Sequence, residues 1–428
     1  MMPVIKSACS CSSPLLVSLS ISSLTRTMSV YSSFVQGNER SRVGCIPIEP
    51  SSRDLHEGLL PSILYSIERP EAGEYRSDIN HVRCIGSYDW IDDAKPTIVV
   101  PGSPPIWKPI SWPFRVPRDQ NNCLINDDGH RLPSCDLLPL FRAVDVVSEN
   151  DIDWSAVDFV TNRNGLRKLL RWIDGRGDSD RFREFRLDLQ LAGRRTVLMN
   201  RWEKTTLAPP ATGYGFGFEK ATTVPVLGCE NSTGHHRIIQ YDFGGLNMVV
   251  RFEVDACIEG PPQTTTYSGS INDVSSQPGG FLSSPTSNTG FGVDFDIIRA
   301  GQLVSQSSIV ELTTRSERNV ICYDWKEQYP QLYLSQTPHH FLAVHHGGLF
   351  NRMEMRQLDD AEMKTIHASV ENSFKKLRAL LETIQQIAVD HGKEARRLSL
   401  VCRSGSVTVL ERRSRDNCLP DEVMGRFQ

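Results

Sequence analysis

The residues best able to do chemistry sit near the end of the stretch 237–257, which closes on Phe252-Glu253-Val254-Asp255-Ala256-Cys257. Two apolar, β-branched runs flank Gly244-Gly245, a pair that tolerates the positive φ of a tight turn, so a β-hairpin is predicted. Side chains alternate along a strand, which puts Glu253 and Asp255 on one face about 7 Å apart. Two carboxylates so placed repel unless a cation or a proton holds them, or solvent covers the face. The same alternation puts Glu311, Thr313 and Arg315 on one face of a short strand predicted over 308–315. Glu219 closes Gly213-Tyr-Gly-Phe-Gly-Phe-Glu219, where alternating glycine and aromatics suit a strand or helix entrance. A nucleotide-binding reading of these glycines fails, because no Gly-Lys-Ser/Thr and no βαβ context follow.

The elements that must position these groups are legible to different degrees. Leu166, Leu169, Leu170 and Ile173 fall at helical spacing, so a helix follows Asn164 with Arg163 at its N-terminal entrance. Phe185, Leu187, Leu189 and Leu191 alternate, and Gly193 turns the chain into a second hairpin ending near Trp202. Residues 137–147 read as a short helix or strand, 97–100 as a buried strand, and 43–83 as irregular. Residues 101–117 are rich in proline, with Trp107 and Trp112 between, which predicts an extended, aromatic-anchored loop on the surface. Residues 327–344, which contain Gln336, are expected to be largely helical with an interruption near Pro338. Met363, Ile366, Val370, Phe374, Leu377, Leu381 and Ile384 step by three or four along a long helix ending at Gly392. A last hairpin turns about Ser404-Gly405.

Composition sets outer bounds. The chain has 428 residues, 39% hydrophobic and 23% charged, as in an ordinary globular protein, and a formal charge of −4. A basic surface must therefore be local, and the stretch 163–204, where Lys and Arg outnumber Asp and Glu, is the candidate phosphate-facing region. The 11 cysteines include no Cys-x-x-Cys pair, which argues against a zinc site or disulfide framework and for a reducing compartment. His339-His340 and His345-His346 are adjacent pairs that do not converge on one ion, and read as packing or surface residues. Asp92-Asp93 and Asp359-Asp360 lack the third Asp of diphosphate chemistry. No apolar run is long enough to span a membrane. Residues 1–42 read as a disordered or presequence-like head, 43–413 as a single domain with a low-complexity insertion at 259–292, and 414–428 as a tail.

Taken in order, Arg163 before a Leu-rich helix, Gly-Phe-Glu219, Glu253-Val-Asp255, Glu311-Leu-Thr313 and Gln336 resemble the motif series of the DXO-type (Rai-like) RNA 5′-end decapping nucleases. That family carries an Arg ahead of such a helix, Gly-Tyr-x-x-Glu, Glu-x-Asp, Glu-x-Lys and a helix-borne Gln. The likeness covers about 159–349, and loosely the last helix and hairpin. It implies an α/β (mixed α+β) fold of twisted mixed sheets flanked by helices, related to the PD-(D/E)XK nucleases. It further implies that Glu219, Glu253, Asp255 and Glu311 hold Mg²⁺ or Mn²⁺, with Glu253, Asp255, Glu311 and Thr313 at the catalytic positions. Arg163 and Gln336 would contact the RNA 5′ end or the scissile phosphate. The implied activity is metal-dependent removal of incomplete or nicotinamide-type caps, 5′–3′ exonucleolysis, or both. The implied partners are the RNA 5′ end and a 5′–3′ exonuclease protein, in a nuclear or cytoplasmic setting.

One departure bears on that activity. The lysine of the fourth motif is Thr313, neutral and short. Either Arg315 or Lys220 supplies the cation instead, or the chain is a catalytically impaired pseudonuclease that binds RNA ends or protein partners.

Overall fold

In the computed structural model the described residues are 52–120, 124–148, 152–175, 184–208, 213–259, 286–287, 295–392 and 396–428. The head at 1–42 lies outside them, as does the insertion at 259–292 apart from Glu259 and the two-residue strand Thr286–Ser287. The fold is mixed α+β, built on two large mixed sheets flanked by helices.

The central hairpin forms as its sequence demands. Strands Ser232–Phe243 and Leu246–Val254 pair from Phe243↔Leu246 out to His235↔Val254. Gly244 and Gly245 turn at φ 55° and 91°, values open to glycine and costly to most residues. Gly244 also has no room for a side chain, since a Cβ there would run into the carbonyl of Arg76.

From that hairpin a twelve-stranded sheet extends both ways among the described residues. On one side, Leu246–Val254 runs parallel to Phe159–Asn162, which runs parallel to Thr196–Trp202, the partner of Phe185–Ala192 in the second predicted hairpin. Next come the last hairpin, Leu398–Arg403 and Ser406–Arg412, and then Leu59–Ile67. On the other side lie Ile79–Ile91, Thr97–Gly102 and Asp296–Gly301. Residues 52–83 are thus more regular than the irregular pattern read over 43–83 predicts. Leu59–Ile67 and Ile79–Ile91 are strands whose outer residues stay largely exposed, so they lack the apolar alternation that sequence reading relies on.

Two cores cover the two faces of this sheet. On one face pack the helices Arg163–Ile173, Trp325–Ser335 and Ala361–Gly392, through Leu166, Leu169, Leu170, Tyr329, Val370, Phe374, Leu377 and Leu381. Each such side chain contributes roughly 1.5–3 kcal/mol on burial. On the other face pack the helix Leu138–Ser148 and the end of the chain, where Cys418, Leu419, Val423 and Phe427 are buried. The segment 414–428 is therefore part of the compact unit that starts at Pro50, not a tail beyond it. Arg426 anchors it with two bonds to Asp145.

The second sheet, seven-stranded among the described residues, contains Ile309–Ser316 between Ala256–Cys257 and His339–His346. The expected helix over 327–344 ends early. Trp325–Ser335 is helical, Gln336 takes a left-handed conformation (φ 49°), and residues 339–346 are a strand buried at its centre. Pro338 disfavours helix at the residue before it, and Phe341 to Val344 then serve the sheet. The proline-rich loop includes the short strands Ile106–Trp107 and Phe114–Arg115, with Trp107 packed on Phe218 and Phe341.

Candidate functional site

The Glu-x-Asp pair sits where the two sheets meet. Glu253 is the penultimate residue of Leu246–Val254 in the large sheet, while Ala256–Cys257 already belongs to the second. Asp255 is the link between them. Its Oδ2 accepts the backbone N–H of Leu312 at 2.7 Å, next to Glu311 on the strand beside it. The pair is thus placed by a change of sheet and not, as simple alternation predicts, by one continuous strand. Glu219 comes from the helix Gly215–Thr222, whose first turn is held by Asp119 accepting the N–H of Gly217 at 3.0 Å.

The four carboxylates feel one another. Burial first, then Glu253, Glu311 and Asp119, push Glu219 up to about 8 from the ordinary 4.5. Burial, then Glu311, Glu219 and Glu253, push Asp255 well above the usual carboxylate range. Glu253 reaches solvent at the floor of a cleft, yet the surrounding protein and Glu311 raise it too, against the pull of Arg163. Such crowding marks a site that takes up a cation or a proton.

Arg163 is the cation in contact with this cluster. It opens its helix as expected, donating from Nη1 to Glu311 Oε2 at 3.3 Å and to Ser335 Oγ at 3.2 Å, while lying over Phe252. One turn on, Arg167 donates to Gln331 Oε1 and, at 3.1 Å, to Glu327 Oε1. Burial lowers its pKa to about 10, which leaves it charged at neutral pH. Gln331 in turn donates to Glu311 Oε1. Arg163 and Gln331, from facing helices, thus hold Glu311, while Arg167 and Glu327, each one turn away on the same helices, pair with each other. Gln336, expected within a helix and facing RNA, is instead the C-cap, and its side chain donates to Tyr333 O at 2.6 Å.

Thr313 shares no cation. Its hydroxyl lies 3.2 Å from His340 Nε2, which also meets Tyr323 O–H at 3.0 Å. Burial, with Arg356 and Arg315 nearby, drives His340 down to about 3, so this network is neutral. Arg315 lies over the Tyr323 ring and donates to Thr314 O. Lys220 is exposed on its helix.

Above Glu253 opens a cleft of about 700 Å³, lined also by Arg131, Arg163, Arg167, Arg201 and Phe216. Phe216 is 46% exposed although it is aromatic. Under the cleft lies a polar network that sequence reading missed. Arg251, 1% exposed, meets Asp128 at 3.1 Å and donates to Asn162 Oδ1, the Tyr88 hydroxyl and the Asp136 backbone carbonyl. Tyr88 and Trp90 both donate to Asp128 Oδ1. Burial opposes ionisation of Asp128, but Arg251 and His236 hold it below its ordinary value. Among the described residues, the stretch 163–204 is not the single phosphate-facing surface its composition suggests. Lys168 pairs with Glu203, Arg171 with Glu327, Arg186 with Asp188, Arg195 with Asp158 and Lys204 with Glu184. The histidine pairs are packing residues where buried, at His340 and His345.

Hard oxygen donors with unbalanced repulsion fit a divalent cation such as Mg²⁺ or Mn²⁺. As placed, however, no group of three or more His, Cys, Asp or Glu among the described residues is close enough to hold one. Glu311 is taken up by Arg163 and Gln331, and Asp255 by Leu312.

A family model described as a domain of unknown function, DUF8563, matches residues 66–427. The chain belongs to the DUF8563 family. No curated protein sequence matches it. Among solved structures, this DUF8563 chain is similar to *Candida albicans* Rai1 in complex with pU5 and Mn²⁺, at 14% identity and TM-score 0.54, covering 85% of this chain and 99% of that one. It is similar to *Scheffersomyces stipitis* Rai1 in complex with (3′-NADP)⁺ and a calcium ion, at 12% identity and TM-score 0.53, covering 81% and 93%. It is also similar to S. pombe Rai1 in complex with 3′-FADP, at 13% identity and TM-score 0.51, covering 81% and 97%. The resemblance to DXO-type nucleases read from the motifs therefore holds at the level of the fold.

Proposed function

We propose that this chain processes RNA 5′ ends by metal-dependent hydrolysis of a phosphodiester or pyrophosphate bond. The observation that carries the reading is the gathering of Glu219, Glu253, Asp255 and Glu311 into one mutually repelling group beside Arg163. Drawn closer together than they lie here, these four carboxylates would hold Mg²⁺ or Mn²⁺, which would supply activation of water and relief of charge at phosphorus. Arg163 and Arg167, on successive turns, present guanidinium groups to the cleft and suit phosphate oxygens. Gln331 keeps Glu311 oriented, and exposed Phe216 offers a face on which a base can stack. The complexes of similar folds with pU5 and with dinucleotide-type ligands agree with a substrate of this class.

A second reading, an RNA-end-binding pseudonuclease, is favoured by the neutral Thr313–His340–Tyr323 network where a lysine is expected. One experiment separates them. Incubation with Mn²⁺ or Mg²⁺ and RNAs bearing 5′-monophosphate or cap structures should release nucleotides or caps, and Asp255→Ala should abolish this. If wild type and variant leave every RNA intact, while binding persists in chelator and weakens steeply with salt, the binding module is the correct reading.

A further inference from the structure

A second cavity, of about 500 Å³, lies beside the strands Phe185–Ala192, Thr196–Trp202 and Ser406–Arg412, and is closed by the segment leading to Cys418. Its size is within the range of small-molecule sites, roughly 300–1,000 Å³. It touches the cleft only through Asn126 and Arg201, which line both.

What distinguishes it is buried polar chemistry left incomplete. Asn200 is 7% exposed and Asp136 6%. Neither the amide oxygen nor the amide nitrogen of Asn200, nor Oδ2 of Asp136, has a hydrogen-bonding partner. The Cys418 sulfur, a weak acceptor, stands by the Asn200 amide. Folded proteins rarely leave such groups orphaned unless a ligand or water completes them. Burial pushes Asp136 up to about 7, so near neutrality it can donate as well as accept. Around them the wall is held rigid, for Arg186 spends its guanidinium on Asp188, Leu55 O and Glu57 O. At the rim Arg412 meets Asp188 only at 3.6 Å, and Arg413 uses Nε on Leu59 O.

We propose that this cavity is a nucleotide site. Asn200 sets a donor beside an acceptor, the pattern that reads a nucleobase edge, with Asp136 adding a third group. Arg412 and Arg413 then face the phosphate. The nucleotide is either free in solution or the terminal residue of an RNA strand. The site does not depend on hydrolysis in the cleft.

Calorimetric titration of the full chain in EDTA tests this, with the four ribonucleoside 5′-monophosphates, ribose 5-phosphate, inorganic phosphate and an RNA trinucleotide as probes. At least one nucleoside monophosphate should saturate one site per chain, roughly tenfold or more tighter than ribose 5-phosphate. Asn200→Ala and Arg412→Ala should each weaken it about tenfold, while Arg163→Ala in the cleft leaves it unchanged. Competition by the trinucleotide identifies an RNA end as the source, and its failure to compete a free nucleotide. The proposal is overturned if no nucleoside monophosphate saturates, if ribose 5-phosphate or inorganic phosphate binds equally well, or if Arg163→Ala abolishes binding that Arg412→Ala leaves intact. Arg412 is partly exposed, so its variant carries the test should Asn200→Ala misfold.

Discussion

Replacing Glu219 by glutamine should stabilise the metal-free protein, and do so only as pH rises. Glutamine keeps the size of the carboxylic acid and removes its ionisation. Burial and the neighbouring carboxylates raise the Glu219 pKa to about 8 from 4.5. The folded state thus holds this proton more tightly than the unfolded chain. Its contribution to stability is fully present below pH 4.5 and is lost as pH climbs toward 8. At ~1.4 kcal/mol per pH unit the gap sets a ceiling of roughly 5 kcal/mol. Water in the adjoining cleft screens the carboxylates, so about 1–3 kcal/mol is expected. Urea unfolding in EDTA at several pH values measures it. Glu219→Gln and wild type should match near pH 4.5, and the variant should pull ahead until about pH 8 and then hold its lead. Excess Mn²⁺ should close the difference by stabilising wild type more than the variant. A difference that is flat with pH, or that favours wild type at high pH, would refute the claim that these carboxylates are crowded together.

Three other outcomes follow from the same contacts. Arg163→Ala should cut RNA hydrolysis by about 10²-fold or more in a single-turnover assay, because it removes the cation touching Glu311. Thr313→Lys should raise hydrolysis roughly tenfold if positive charge is limiting, measured against wild type at equal Mn²⁺. Arg251→Met should cost about 3–5 kcal/mol in urea unfolding by stranding buried Asp128, with much of the loss recovered on adding Asp128→Asn.

Much of the frame was legible because it depends on short-range rules. Gly244-Gly245 flanked by β-branched runs specified the central hairpin, and the 3–4 spacing of Val370, Phe374, Leu377 and Leu381 specified the long helix. The strands Leu59–Ile67 and Ile79–Ile91 were not legible, since partners elsewhere in the chain supply what their own pattern lacks. Phe427 shows the same limit. Its burial against Phe141 and Trp154 makes the last residues part of the core, although nothing nearby in sequence says so.

By itself, the sequence determined which residue types were on hand: the acidic motifs in order, an arginine opening a helix, a threonine where the DXO-type motif it resembles has lysine. Only the tertiary structure decided which of them meet. Asp255 bonds Leu312, the neighbour of Glu311, because the chain passes from one sheet to the other at that residue, and Gln331 rather than Gln336 meets Glu311 because a left-handed turn takes the latter off its helix. Charge pairing was decided there too. Arg163, Arg167, Lys168 and Arg171 were claimed by acids distant in the chain, since a partly buried charge is stable only beside its opposite.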